Sequence, residues 1–160
     1  MLSFSEYLTE KIEPSHVANS PHFTSYVYDT PSQQHKIYVL FHQLLSPDPD
    51  KSGIWQASFG RKAKDSKSMT VSRTGMSAMS QADRVSSIRS VLHGLNTFIK
   101  EKKPRKITYD ANTKKKGSAY KSWAQRAVDS HNRENKLGPN HPLRARVTPN
   151  GAEFPFHAKG

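Results

Sequence analysis

Lys102, Lys103, Arg105 and Lys106 crowd around Pro104, Lys114, Lys115 and Lys116 follow shortly after, and Lys121, Arg126, Arg144 and Arg146 extend the set. Side chains of this type at this density do one kind of chemistry well, which is to neutralise phosphates. Each neutralised phosphate releases counterions, so the affinity they provide falls steeply with salt. The charge is also one-sided. Residues 1–60 carry three Lys/Arg against six Asp/Glu, residues 61–99 carry seven against two, and residues 100–146 carry fourteen against four. Of a formal net charge of +12, a share of +10 therefore sits in residues 100–146. Such a field makes nucleic acid, or an acidic protein surface, the expected partner. Direct readout of bases has no signature: there is no zinc-finger spacing, helix-turn-helix or RNA-recognition aromatic motif.

Other chemistries find less support. The eight histidines (His16, His22, His35, His42, His93, His131, His141 and His157) include no pair with the HExxH spacing of a zinc protease, and a structural role is expected of each. The chain has no cysteine, which removes disulfides, thiolate metal sites and cysteine nucleophiles together. No metal, cofactor or catalytic residue is expected. Arg73-Thr74-Gly75-Met76-Ser77-Ala78 stands between an expected strand and helix, where backbone amides can bind phosphate, but it lacks the Walker and dinucleotide glycine patterns. A mean hydropathy of −0.79, a pI near 10.0 and the absence of any long apolar run argue against a membrane span. The polar, acidic N-terminus does not read as a secretory signal.

The elements that must position these groups follow from periodicity. Ser3, Glu6, Tyr7, Leu8 and Ile12 predict a short helix over 3–13, closed by Pro14. Phe23, Tyr26 and Tyr28 form an aromatic run that fits a strand or an ordered arm. Lys36 to Leu45 is the clearest strand, apolar on both faces and so placed in the centre of a sheet. Residues 46–53 read as a loop, 54–59 as a second strand and 69–73 as a short third, joined most simply as an antiparallel meander. Ser80 and Asp83 have capping-box spacing at the start of the best helix, over 81–101. Val85, Ile88, Leu92, Leu95 and Ile99 form its stripe, widened by Val91 and Phe98. Gly94 costs that helix roughly 1 kcal/mol relative to Ala.

Ile107 and Tyr109 define a strand over 105–111, reached from strand 69–73 by a connection of crossover length. Residues 112–117 read as a basic loop. Ser118 caps a second helix to about His131, with Tyr120 and Trp123 in the core rather than stacked on bases. Residues 132–142 read as polar linker. Arg144 and Arg146 then share one face of a strand over 143–148, Asn150-Gly151 gives a two-residue hairpin turn, and Pro155 places the return strand at a sheet edge. The expected fold is a single α+β domain: a mixed, mostly antiparallel sheet packed by two main helices, with a short N-terminal helix and a C-terminal β-hairpin. Residues 1–30 are read as N-terminal helix and arm, and 31–160 as the domain with its basic surface over 100–146.

Two resemblances follow. The block from Ile54 to His131 is similar to the central part of the GNAT (N-acetyltransferase) fold, where a strand, a pyrophosphate-binding turn and helix, a strand, and a helix opened by Asn and carrying Tyr occur in this order. Asn112 and Tyr120 stand where that family has its Asn and Tyr. In the turn, Met76 occupies a position that is glycine in the family. This resemblance implies an acyltransferase using coenzyme A. The opening Leu-Ser-Phe-Ser-Glu-Tyr-Leu-Thr-Glu and the stretch Lys103 to Ala111 resemble small uncharacterised proteins of tailed bacteriophages, which implies a viral protein acting in the bacterial cytoplasm or in a virion. The expectation is a non-enzymatic nucleic-acid-binding phage protein. The alternatives are a GNAT-like acyltransferase, or a virion, assembly or host-takeover component that binds an acidic partner or self-associates through residues 1–60.

Overall fold

A computed structural model describes residues 12–45, 53–63, 80–109 and 114–157. Seven strands form one sheet: β1 (His16–Ser20), β2 (Phe23–Asp29), β3 (His35–Gln43), β4 (Ile54–Ala63), β5 (Lys106–Tyr109), β6 (Arg146–Thr148) and β7 (Gly151–Glu153). Their order is β1-β2-β3-β4-β5-β7-β6, antiparallel except for the β4–β5 pair. Two helices, α1 (Gln81–Lys102) and α2 (Lys114–Glu134), complete an α+β fold.

The parallel β4–β5 pair explains the arrangement. Adjacent parallel strands need a crossover, and α1 supplies it by running back from the far end of β4 to the near end of β5. The third strand and the turn expected over 69–78 lie outside the described residues, as does most of the helix expected over 3–13. Of that segment, Ile12 packs against the core.

β3 is the strand that the alternation demands, with one qualification. Ile37, Val39 and Phe41 are buried beneath α1, whereas Tyr38 and Leu40 on the opposite face are only half-buried. Phe41 stacks on Phe98 of α1 with ring centroids 3.9 Å apart, and Trp55 meets the same ring edge-on at 5.0 Å. Aromatic contacts of this kind contribute about 0.5–1.5 kcal/mol each beyond area burial.

Several boundaries depart from the expectation for identifiable reasons. The aromatic run is β2, and β1 pairs with it; β1 gives no alternating signal because it is an edge strand exposed on both faces. β4 runs to Ala63 because His35–Tyr38 offer it partners, which Gly60, Arg61 and Lys62 conceal in sequence. The inward face of α1 is rotated from the expected stripe. Ser87, Ser90, Val91, Gly94, Leu95, Phe98 and Ile99 face the sheet, and Val85, Ile88 and Leu92 sit half-buried at the flank. Small residues let the helix backbone come close, and a search for apolar residues passes over them.

The capping of α1 is partly as expected. Ser80 Oγ accepts the Asp83 N–H at 3.2 Å, but the Asp83 carboxylate turns to Ser32, accepting both its hydroxyl and its N–H. α1 ends at Lys103, a left-handed residue whose N–H bonds Ile99 O at 3.1 Å.

At the C-terminal end, the hairpin turn is Pro149-Asn150, one residue earlier than expected, because Thr148 pairs with Gly151. Gly151 is required there: a Cβ would lie 1.8 Å from Ile107 O on β5. Pro155 does not mark an edge strand. β7 lies between β5 and β6, and Pro155 opens a 3-10 turn (Pro155–His157) after it.

The expected linker over 132–142 is ordered by its own polar groups. Asn132, buried at the end of α2, accepts the Ala145 N–H at 2.8 Å and donates to Ala145 O at 3.0 Å. Leu137 is buried, and Arg144 donates to its carbonyl at 2.8 Å.

Candidate nucleic-acid interface

The crossover sorts the candidate cations by position. α1 delivers Lys102 and Lys103 to the end of the sheet where β5 begins, and Arg105 and Lys106 continue into that strand. Backbone bonds hold the junction. Arg105 and Lys106 N–H groups both reach Gly53 O, at 2.9 and 3.2 Å, and Arg105 O accepts from Phe154 N at 2.8 Å. The Lys102 ammonium lies 3.4 Å from Ser20 O at the end of β1. Four cations are therefore fixed on a rigid corner rather than on a tail.

The carboxylates at this end are already engaged. Glu134 pairs with Lys100 at 3.2 Å, Glu153 with Arg146 at 3.3 Å, and Glu101 Oε2 accepts the Tyr26 hydroxyl at 3.3 Å. Among the described residues no carboxylate pairs with Lys102, Lys103, Arg105 or Lys106. The exposed ion pairs contribute little stability, about 0–1 kcal/mol each. Lys102, Lys103 and Arg105 are thus left without an ion-pair partner among the described residues, while Lys106 stands directly across the β5–β7 ladder from Glu153.

The other candidates are divided. Lys114, Lys115 and Lys116 are not in a loop; they form the first residues of α2, at the opposite end of β5 from Lys106. Lys121 and Arg126 are exposed on α2. Arg146 opens β6, but Arg144 precedes the strand and is held to Leu137 O, so the two do not share a strand face. Arg144 instead lines a shallow cleft of about 430 Å³ with Arg133 and Lys136, two cations not singled out by the sequence. Lys136 takes a left-handed backbone (φ 56°) that turns the chain out of α2 and into this cleft, with no glycine to signal it. Tyr120 is buried in the core and Trp123 packs against it, as expected. Arg73 to Ala78 and Asn112 lie outside the described residues.

Four of the histidines make local hydrogen bonds to neighbouring side chains. His22 bonds Gln43 at 2.9 Å, His42 bonds Gln56 at 3.0 Å, and His35 Nδ1 accepts from Arg61 at 3.0 Å. His93 Nδ1 meets the Tyr28 hydroxyl at 2.7 Å on the inner face of the sheet. Burial lowers the pKa of His93, opposed by Glu13 and reinforced by Lys100. Burial likewise raises the pKa of Tyr28 and of Tyr26, the latter with help from Glu101. Among the described residues no group of three His, Asp or Glu could hold a metal ion, and no helix is long and apolar enough to cross a membrane.

No protein-family model, no curated protein and no solved structure matches the chain. The fold and the surface together define a two-layer α+β protein with a basic corner at one end of its sheet.

Proposed function

We propose that this chain is a non-enzymatic nucleic-acid-binding protein that holds phosphates on a folded basic surface. The observation that carries this reading is the corner formed by Lys102, Lys103, Arg105 and Lys106, whose backbone is held at Arg105 and Lys106 by Gly53 and at Lys103 by Ile99, with no carboxylate in ion-pair contact with any of the four among the described residues. Fixed cations lose less conformational freedom on meeting phosphate than cations on a floppy tail. The phage resemblance of the N-terminus and of residues 103–111 supports a viral origin, with action in the bacterial cytoplasm or in a virion.

The test is a salt titration of binding to DNA and to RNA. Binding at low salt is expected, with log affinity falling linearly in log salt. Changing Lys102, Lys103 and Lys106 together to Gln should flatten the slope by about 2–3. Absence of binding to either polymer at low salt would overturn the reading.

A further inference from the structure

We propose that the sheet face opposite the helices is a platform for single-stranded nucleic acid, on which bases stack at Tyr38 while cations at both ends hold the backbone. The proposal rests on the nucleic-acid-binding function above and names the form of nucleic acid and the surface that takes it.

Among the described residues, both helices lie on the face that carries Ile37, Val39 and Phe41. Successive strand residues point to opposite sides, so Tyr38 and Leu40 stand on the other face, and both are half-buried. Their neighbours are small. Leu40 lies between Ser25 and Ser58, and Tyr38 between Val27 and Gly60. Gly60 and Val27 are themselves buried on either side of Tyr38, so what this row offers a planar group is the half-buried Tyr38 itself. The next row on the same face brings together His42, Gln56 and Thr108, polar side chains of the kind that meet base edges.

Charge frames this floor. At one end Lys36 and Lys62 are direct cross-strand partners, an arrangement that is unfavourable between like charges and relieved in part by Asp29, 3.0 Å from Lys36. At the other end Lys106 lies between Ile54 and Glu153, and Arg146 pairs with that carboxylate from the next strand, so the row carries two cations against one anion and joins the face to the basic corner. From Ile54 to Lys62 the strand spans about 26 Å, so an extended strand can engage both ends while its bases cross the middle. Stacking on a sheet needs a free base face, which a duplex hides, and so the geometry selects unpaired bases.

The experiment measures binding of the full chain to a labelled oligothymidylate of about 12 nucleotides and to a duplex of equal length, with polyglutamate as competitor. Tighter binding to the single strand is expected. Tyr38→Ala should weaken it about tenfold or more without changing the salt slope, and Tyr38→Phe should retain it. Lys62→Gln should lower the slope by about 0.7. For the unaltered protein, ultraviolet crosslinking to a bromouracil oligonucleotide should map to residues 36–43. Equal affinity for duplex, displacement by polyglutamate as effective as by nucleic acid, unaltered binding by a folded Tyr38→Ala variant, or crosslinks confined to α2 would each overturn the platform while leaving the basic-surface function standing. No binding to either oligonucleotide at low salt would overturn both.

Discussion

Gly94 of α1 lies against Val39 of β3 so closely that a Cβ on the glycine would sit 3.0 Å from Val39 Cγ1 and 3.2 Å from its Cβ. Val39 is fully buried and cannot move aside. Gly94→Ala should gain about 1 kcal/mol in helix propensity and lose about 1–3 kcal/mol to overpacking, for a net loss of stability. In urea denaturation the variant should show a lower midpoint. Combining it with Val39→Ala should destabilise less than the two single changes summed.

The bidentate hold of Asn132 on Ala145 predicts a graded series. Asn132→Leu strands a buried N–H and a buried carbonyl, and should cost about 2–4 kcal/mol. Asn132→Asp keeps the acceptor for the Ala145 N–H but sets a buried carboxylate oxygen against Ala145 O, so near pH 7 it should cost no less than Asn132→Leu, and at acid pH, where the protonated carboxyl can donate, it should cost less. A loss for Asn132→Asp that does not shrink at acid pH in denaturant titrations would show that the pairing does not organise residues 137–146.

The two phenols and one imidazole on the inner face of β2 and α1 give the protein a pH window. His93 has a folded-state pKa below its unfolded value of 6.5, so protons favour the unfolded chain. Its contribution to stability is full above that value and lost as pH falls below it. Tyr26 and Tyr28 are shifted up from 10.0, so theirs is lost as pH rises past 10. Nuclear magnetic resonance should show His93 titrating below the ordinary histidine value of 6.5. His93→Asn should flatten the fall in unfolding free energy between about pH 7 and 5.

The separation of the two lysine groups predicts additivity. Lys102, Lys103 and Lys106 lie at one end of β5, and α2 begins with Lys114, Lys115 and Lys116 at the other. On a long nucleic acid, neutralising each group should lower the salt slope independently, and neutralising both should lower it by the sum. A combined effect no larger than either alone would mean that only one end is used.

Much of the fold was legible in residue order. β3 and α1 announce themselves because each buries a dense apolar stripe, and the α+β class follows from the alternation of the two periods. The true inward face of α1 was hidden because its closest approach is made by Ser87, Ser90 and Gly94, residues without an apolar signal. α2 begins earlier than its pattern suggests because lysines read as loop. β1 has no pattern because an edge strand buries neither face. For the candidate interface, the number of cations was readable but their division was not. Which end of the sheet each group occupies depends on the parallel β4–β5 pairing, which no local pattern encodes.

That parallel pair also bears on how the chain reaches its native state. β1 through β4 are hydrogen-bonded in the order of synthesis, each to the next, so their contacts close short loops. β5 reaches β4 only after residues 64–105 have been gathered, and closing a loop of that length costs about 2–3 kcal/mol more than closing a tight hairpin. The rate-limiting barrier should therefore be crossed with the meander built and β5, β7 and β6 still undocked. Truncating Phe41 should slow refolding, whereas Ile107→Val should leave refolding unchanged and accelerate unfolding. The basic corner at Lys106 would thus be the last part of the molecule to assemble and the first to come apart.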